Sequence, residues 1–141
     1  MLLATDKLTS GPFKESIVYL IKHDVTGAFG LVINRPSDKA GVFLGGPVAE
    51  DRQVILHTPD VMTTGSAKLP DPNNDLAVSE EDAVPLLLDM IAKGNAPRKF
   101  RLIQGYTGWG PGQMEGEMRR GHWVTAPYDE EIVFAPYLGD H

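Results

Sequence analysis

Apolar residues along this chain fall into short, almost unbroken runs separated by glycine, proline and aspartate, the pattern of strands and tight connections. Ser16–Lys22 (SIVYLIK) and Ala28–Ile33 (AFGLVI) are rich in β-branched and aromatic residues, and His23-Asp24-Val25-Thr26-Gly27 joins them as a hairpin connection. Both runs are nearly continuous, so both strands are expected to be covered on two faces. Leu2–Ala4 reads as a short first strand. Gly45-Gly46-Pro47 breaks the chain, Gln53–Thr58 (QVILHT) reads as a further strand, and Asp75–Val78 as a short one. Ser37–Leu44 and the turn-rich stretch Asp60–Asn74 read as loops.

The period then changes. Ala83, Leu86, Leu87, Met90 and Ile91 recur at helical spacing, and Gly94 suits the stop. Ser79-Glu80-Glu81-Asp82 resembles a capping box, although Pro85 lies deep for that start and favours one nearer Val84. Arg98–Gln104 (RKFRLIQ) reads as a strand entering a glycine loop, Gly105–Gly110. Pro111 suits the first position of a second helix that runs to Arg120 and stops at Gly121. His122–Ala126 and Glu131–Ala135 read as closing strands. About seven strands and two main helices, with strands at both ends, predict an α+β domain with a mixed, mostly antiparallel sheet.

Composition narrows the function. The 141 residues suit one domain, 1–141, and the 42% hydrophobic and 23% charged content is that of a soluble globular protein. There is no cysteine, which excludes disulfides, thiol nucleophiles and thiolate metal sites. A net charge of −6 opposes nucleic acid and anionic membrane surfaces. No apolar run reaches a membrane span, and the first residues lack the pattern of a secretory leader. Arg98, Lys99 and Arg101, and then Arg119 with Arg120, are short basic clusters read as solvated faces or helix caps.

Several motifs occur in order: MLLAT at the start, Ile17-Val18-Tyr19-Leu20, Gly30-Leu31-Val32-Ile33-Asn34-Arg35-Pro36, Gly45-Gly46-Pro47-Val48, Val54-Ile55-Leu56-His57, and Gly105-Tyr106-Thr107-Gly108-Trp109-Gly110-Pro111-Gly112-Gln113. Together they resemble the YqgE/AlgH family of small bacterial proteins. The resemblance implies a bifurcated sheet curled into a pseudo-barrel and a cytoplasmic location, but no established activity, cofactor or catalytic residue. Some members of that family are labelled transcriptional regulators. Relatives usually carry a longer insertion between the NRP and GGP motifs and a helical C-terminal tail, and neither is present here. Val42, Phe43 and Leu44, with Phe134, Tyr137 and Leu138, are therefore expected to be uncovered, which points to a homodimer.

The candidate chemistry is sparse. Asn34 and Arg35 sit at a strand end, where Pro36 holds Arg35 extended towards an anion or towards Asp51 or Glu50. His57 is of the type that serves as a general base, with Ser66, Thr58 and Asp60 nearby in sequence, but none lies in a nucleophile context. A buried or capping histidine is the preferred reading. No histidine spacing marks a metal site. Glu115 and Glu117 read as complements to a helix dipole. Trp109 is expected to pack as core with Leu31, or to contact an anion, nucleotide or peptide together with Gln113. Catalytic residues are expected to be none, and ligand-binding candidates are Asn34, Arg35, His57, Trp109 and Gln113. These readings favour a non-enzymatic binding or regulatory module for a protein partner or small anionic ligand, without direct DNA binding. The alternative is a hydrolase or transferase with a pocket around Arg35, His57 and Trp109.

Overall fold

The two long apolar runs form the hairpin at the middle of the sheet, and the strand carrying the glycine motif divides that sheet in two. The computed structural model describes residues 1–4, 16–39, 41–69 and 76–135. In chain order the elements are β1 (Leu2–Ala4), β2 (Ile17–Asp24), β3 (Gly27–Val32), β4 (Val42–Leu44), β5 (Val48–His57), β6 (Ser66–Lys68), β7 (Ala77–Glu80), α1 (Ala83–Ala92), β8 (Phe100–Trp109), α2 (Gln113–Arg119), β9 (Trp123–Thr125) and α3 (Glu130–Val133). The strands form a nine-stranded sheet in the order β6-β7-β5-β8-β3-β2-β1-β9, with β4 beside β8. Every named pairing is antiparallel except β4 with β8. This is the expected α+β fold, a mostly antiparallel sheet curled into a half-barrel.

The fork lies on one edge of β8. Leu102–Gln104 pair with β4 and Thr107–Trp109 pair with β3, while β5 runs along the opposite edge. Gly45 fills the crotch. Its N–H donates to Gln104 O at 2.7 Å, and its carbonyl accepts from the Val32 N–H at 2.9 Å and the Thr107 hydroxyl at 3.0 Å. A Cβ at Gly45 would stand 2.4 Å from the backbone oxygen of Gly105, so only glycine allows this approach.

Gly105 decides which way the end of β8 faces. Its φ of +76° is left-handed and breaks the alternation of side chains along the strand. Ile103 joins the inner cluster with Tyr19, Leu31, Ile33, Val54, Leu56 and Val78, and Tyr106 packs against the same cluster. Trp109 turns to the other face, with Val18, Ala28, Val32, Met114 and Trp123. The expected packing of Trp109 with Leu31 is thus corrected in part: Trp109 is buried, but in the cluster beneath α2. Helix α1 covers the outer face of β5 and β8 through Val84 and Leu87 on Ile55 and Leu102.

Other expectations need correction. The glycines of Gly105–Trp109 lie within β8 and do not form a loop; Gly105 takes up the left-handed turn of the backbone there, and Gly108 leaves open space. Glu131–Ala135 is not a strand. Asp129 accepts from the Glu131 N–H at 2.9 Å and caps α3, with Glu130 and Glu131 in its first turn. Ser79 lies in β7 and caps nothing, while α1 starts at Ala83 without a side-chain cap bond. Val42–Leu44 and Ser66–Lys68 are strands where loops were expected. Of the residues expected to be uncovered, Phe43 and Phe134 are partly buried and pack against the inner cluster, Val42 and Leu44 are half-buried, and Tyr137 and Leu138 lie outside the described residues. Arg101 is not a solvated cation. It is buried, donates to the carbonyls of Ile33 and Ala135, and lies 4.0 Å from the Phe43 ring centroid.

Candidate functional site

The curl of the sheet leaves a cleft of about 520 Å³ on its inner side, between the β2–β3 hairpin and strands β5, β7 and β8. Its apolar lining includes Ile21, Phe29, Leu31, Val54 and Val78, with Tyr106 and the edge of Trp109. The register explains the opening. Phe29 pairs with Gly108, which offers no side chain to fill the space. Ile21 faces the same inner cluster as Ile17 and Tyr19 by the alternation of β2. Phe29 and Tyr106 meet edge to face, with ring centroids 6.1 Å apart.

The rim is charged. Arg52 Nη2 stands 3.6 Å from Glu80 Oε2 and 3.4 Å from Glu81 Oε1. Arg52 Nη1 and Nε, and the Tyr106 hydroxyl, make no hydrogen bond among the described residues. Two non-glycine residues with left-handed backbone lie beside this rim, Ala49 (φ +48°) in β5 and Glu81 (φ +53°) after β7.

Of the residues expected to form a site, Trp109 alone lines this cleft. Its indole N–H donates to Glu117 Oε1 at 3.2 Å. Glu117 is therefore more than a complement to the helix dipole, and Glu115 likewise pairs with His23. Gln113 Oε1 accepts from the Gly110 N–H at 2.9 Å and closes the turn before α2. Asn34 Oδ1 accepts from the Ile17 N–H at 2.9 Å, which ties the end of β3 to the start of β2. The Arg35 carbonyl accepts from the Leu44 N–H at 2.8 Å and aligns β4.

His57 is fully buried and both ring nitrogens are engaged. Nδ1 lies 2.8 Å from the Thr58 carbonyl, an acceptor only, so Nδ1 carries the proton. Nε2 must then accept from the Ser79 hydroxyl at 2.8 Å, and Ser79 from the Ser66 hydroxyl at 2.7 Å. The Thr63 N–H donates to Ser66 Oγ at 3.0 Å and extends this one-way chain. Burial is the main cause that lowers the His57 pKa; its bond to the Thr58 carbonyl and the Asp60 charge oppose it. Such a histidine fixes a turn and cannot reach a substrate. Among the described residues no group of three His, Asp or Glu side chains could hold a metal ion.

The profile of the AlgH-like family matches residues 1–140. The chain belongs to that family. A UPF0301 protein of Bordetella petrii is 35% identical, with 94% of this chain and 73% of that one covered. A UPF0301 protein of Cupriavidus pinatubonensis is 34% identical over 95% of this chain and 78% of its own. The solution structure of the AlgH protein from Pseudomonas aeruginosa superposes with a TM-score of 0.75 at 32% identity, with 95% of this chain and 78% of that one covered. A crystal structure from Corynebacterium diphtheriae shares the fold with a TM-score of 0.77 at 24% identity, covering 96% and 78%. The AlgH-like motifs map onto the architecture: GLVINRP ends β3, the GGP turn fills the fork, and the glycine-rich motif spans the end of β8 and the start of α2.

No pattern along the chain marks Arg52 and Glu80 as neighbours, because the turn-rich segment between them conceals the β5–β7 pairing. Tyr106 stood within the glycine motif, but only the left-handed Gly105 turns it inward.

Proposed function

We propose that this protein is a non-enzymatic binding module of the bacterial cytoplasm, and that its ligand occupies the cleft above Phe29, Leu31 and Tyr106. The observation that carries this reading is the cleft itself: an apolar floor, an unengaged Tyr106 hydroxyl and a charged rim, the composition of small-molecule sites. A regulatory role would follow if occupancy altered a partner-facing surface. Against the hydrolase or transferase reading stand the saturated bonding and full burial of His57 and the engagement of the Asn34 and Gln113 side chains in separate structural bonds.

The cleft can be closed without disturbing the sheet. A Cβ at Gly108 would meet only ordinary contacts at 3.9 Å, from Ala28 O and a Tyr106 ring carbon. Gly108→Leu therefore fills the space beside Phe29. Saturation-transfer NMR with indole as probe should show binding to the wild type and none to Gly108→Leu, whose thermal midpoint stays close to wild type. Equal indole signals from both proteins, or none from either, would overturn the reading.

A further inference from the structure

We infer that the cleft takes an aromatic α-amino acid, with its ring on the floor and its zwitterionic head at the Arg52–Glu80 pair; this rests on the reading of the cleft as a binding site. The rim holds both charge signs side by side, 3.6 Å apart, at one end of an apolar pocket. Each partner is only half used. Arg52 engages its carboxylates through Nη2 alone, so the N–H groups of Nη1 remain to donate to a ligand carboxylate. Glu80 meets Arg52 through Oε2, which leaves Oε1 for an ammonium.

The charge balance selects the head group. A plain anion at Arg52 would face Glu80 and Glu81, and a plain cation at Glu80 would face Arg52. A molecule with both charges on one carbon matches both partners at once. Side chains of Arg52 and Glu80 are 43% and 39% exposed, so their mutual attraction is weak and a ligand can displace it.

The floor selects the side chain. Phe29 and Tyr106 already stand edge to face, and a third ring extends that arrangement over Leu31. The free Tyr106 hydroxyl offers one more polar contact. The two left-handed residues, Ala49 and Glu81, flank the segments that carry Arg52 and Glu80, which places backbone strain where the rim is built.

Isothermal titration with L-phenylalanine, phenethylamine and 3-phenylpropionate tests the assignment. Phenylalanine should bind at least about tenfold tighter than either analogue, because each lacks one charged partner. Arg52→Gln should bring phenylalanine down to the affinity of phenethylamine, and Glu80→Gln to that of 3-phenylpropionate. Gly108→Leu should abolish all three. If the three probes bind alike and are lost alike in Gly108→Leu, the amino-acid assignment is wrong and the cleft remains a binding site. If none binds while indole does, the assignment is likewise wrong. If neither they nor indole bind, both readings fall.

Discussion

Trp109 and Trp123 share one oxygen: both indole N–H groups donate to Oε1 of Glu117, at 3.2 and 3.0 Å, and the rings meet edge to face with centroids 6.1 Å apart. One carboxylate thereby joins the ends of β8 and β9 to α2, and Met114 and Leu2 close the cluster around the rings. Glu117→Leu leaves two indole donors without their acceptor and should cost about 1–3 kcal/mol. Trp109→Ala removes a nearly buried ring and should cost about 3–5 kcal/mol. Chemical denaturation followed by tryptophan fluorescence for the first variant, and by circular dichroism for both, checks these values. A midpoint unchanged in either variant would remove the cluster from the account of stability.

Gly45, just after β4, and Gly108, within β8, make a controlled pair. Alanine at Gly45 puts a methyl 2.4 Å from a backbone oxygen that cannot move aside, and should destabilise by about 1–3 kcal/mol. Alanine at Gly108 meets nothing closer than 3.9 Å and should be nearly neutral. Equal losses of thermal midpoint would contradict the forked-sheet geometry.

Arg101 clamps α3 to the sheet through the carbonyls of Ile33 and Ala135. Burial lowers its pKa from the ordinary guanidinium value. Arg101→Ala should cost about 2–4 kcal/mol, through lost charge-assisted bonds and lost packing on Phe43. Hydrogen exchange should rise selectively across residues 130–135, whereas a uniform rise over all strands would deny the clamp.

His57 imposes a pH dependence of defined sign. Its folded pKa lies below the ordinary 6.5, mainly through burial, so the unfolded chain binds a proton first as pH falls. This contribution is complete above pH 6.5 and is lost as pH drops through that value towards the folded pKa. Asp60, Glu115 and Glu130 stay ionised over this window, their pKa values held down chiefly by the Thr58 hydroxyl, by His23 and by Arg98. Stability measured between pH 7.5 and about 5 should therefore fall less steeply in His57→Gln than in the wild type. Parallel slopes would contradict the buried neutral histidine.

Much of the fold was legible in the chain. The SIVYLIK and AFGLVI runs marked the central hairpin, α1 carried its helical period and the stop at Gly94, and α2 was marked by Pro111 and Gly121. The end of β8 was not legible, since glycines within a strand look like glycines of a loop. Ile132, Val133 and Phe134 read as strand residues, and only the structure shows Asp129 capping a short helix there. The site was least legible. His57, Asn34 and Gln113 are the polar residues that attract attention in sequence, and each is consumed by a structural bond. Arg52 and Glu80 become neighbours only through the pairing of β5 with β7.

The most direct test of the cleft as the binding site is methyl NMR of the full chain titrated with indole. Shifts concentrated on Ile21, Leu31, Val54 and Val78, saturable and absent in Gly108→Leu, are the predicted result. Shifts centred on Ile55, Val84 and Leu87, where α1 meets the sheet, or no shifts at any concentration, would contradict it.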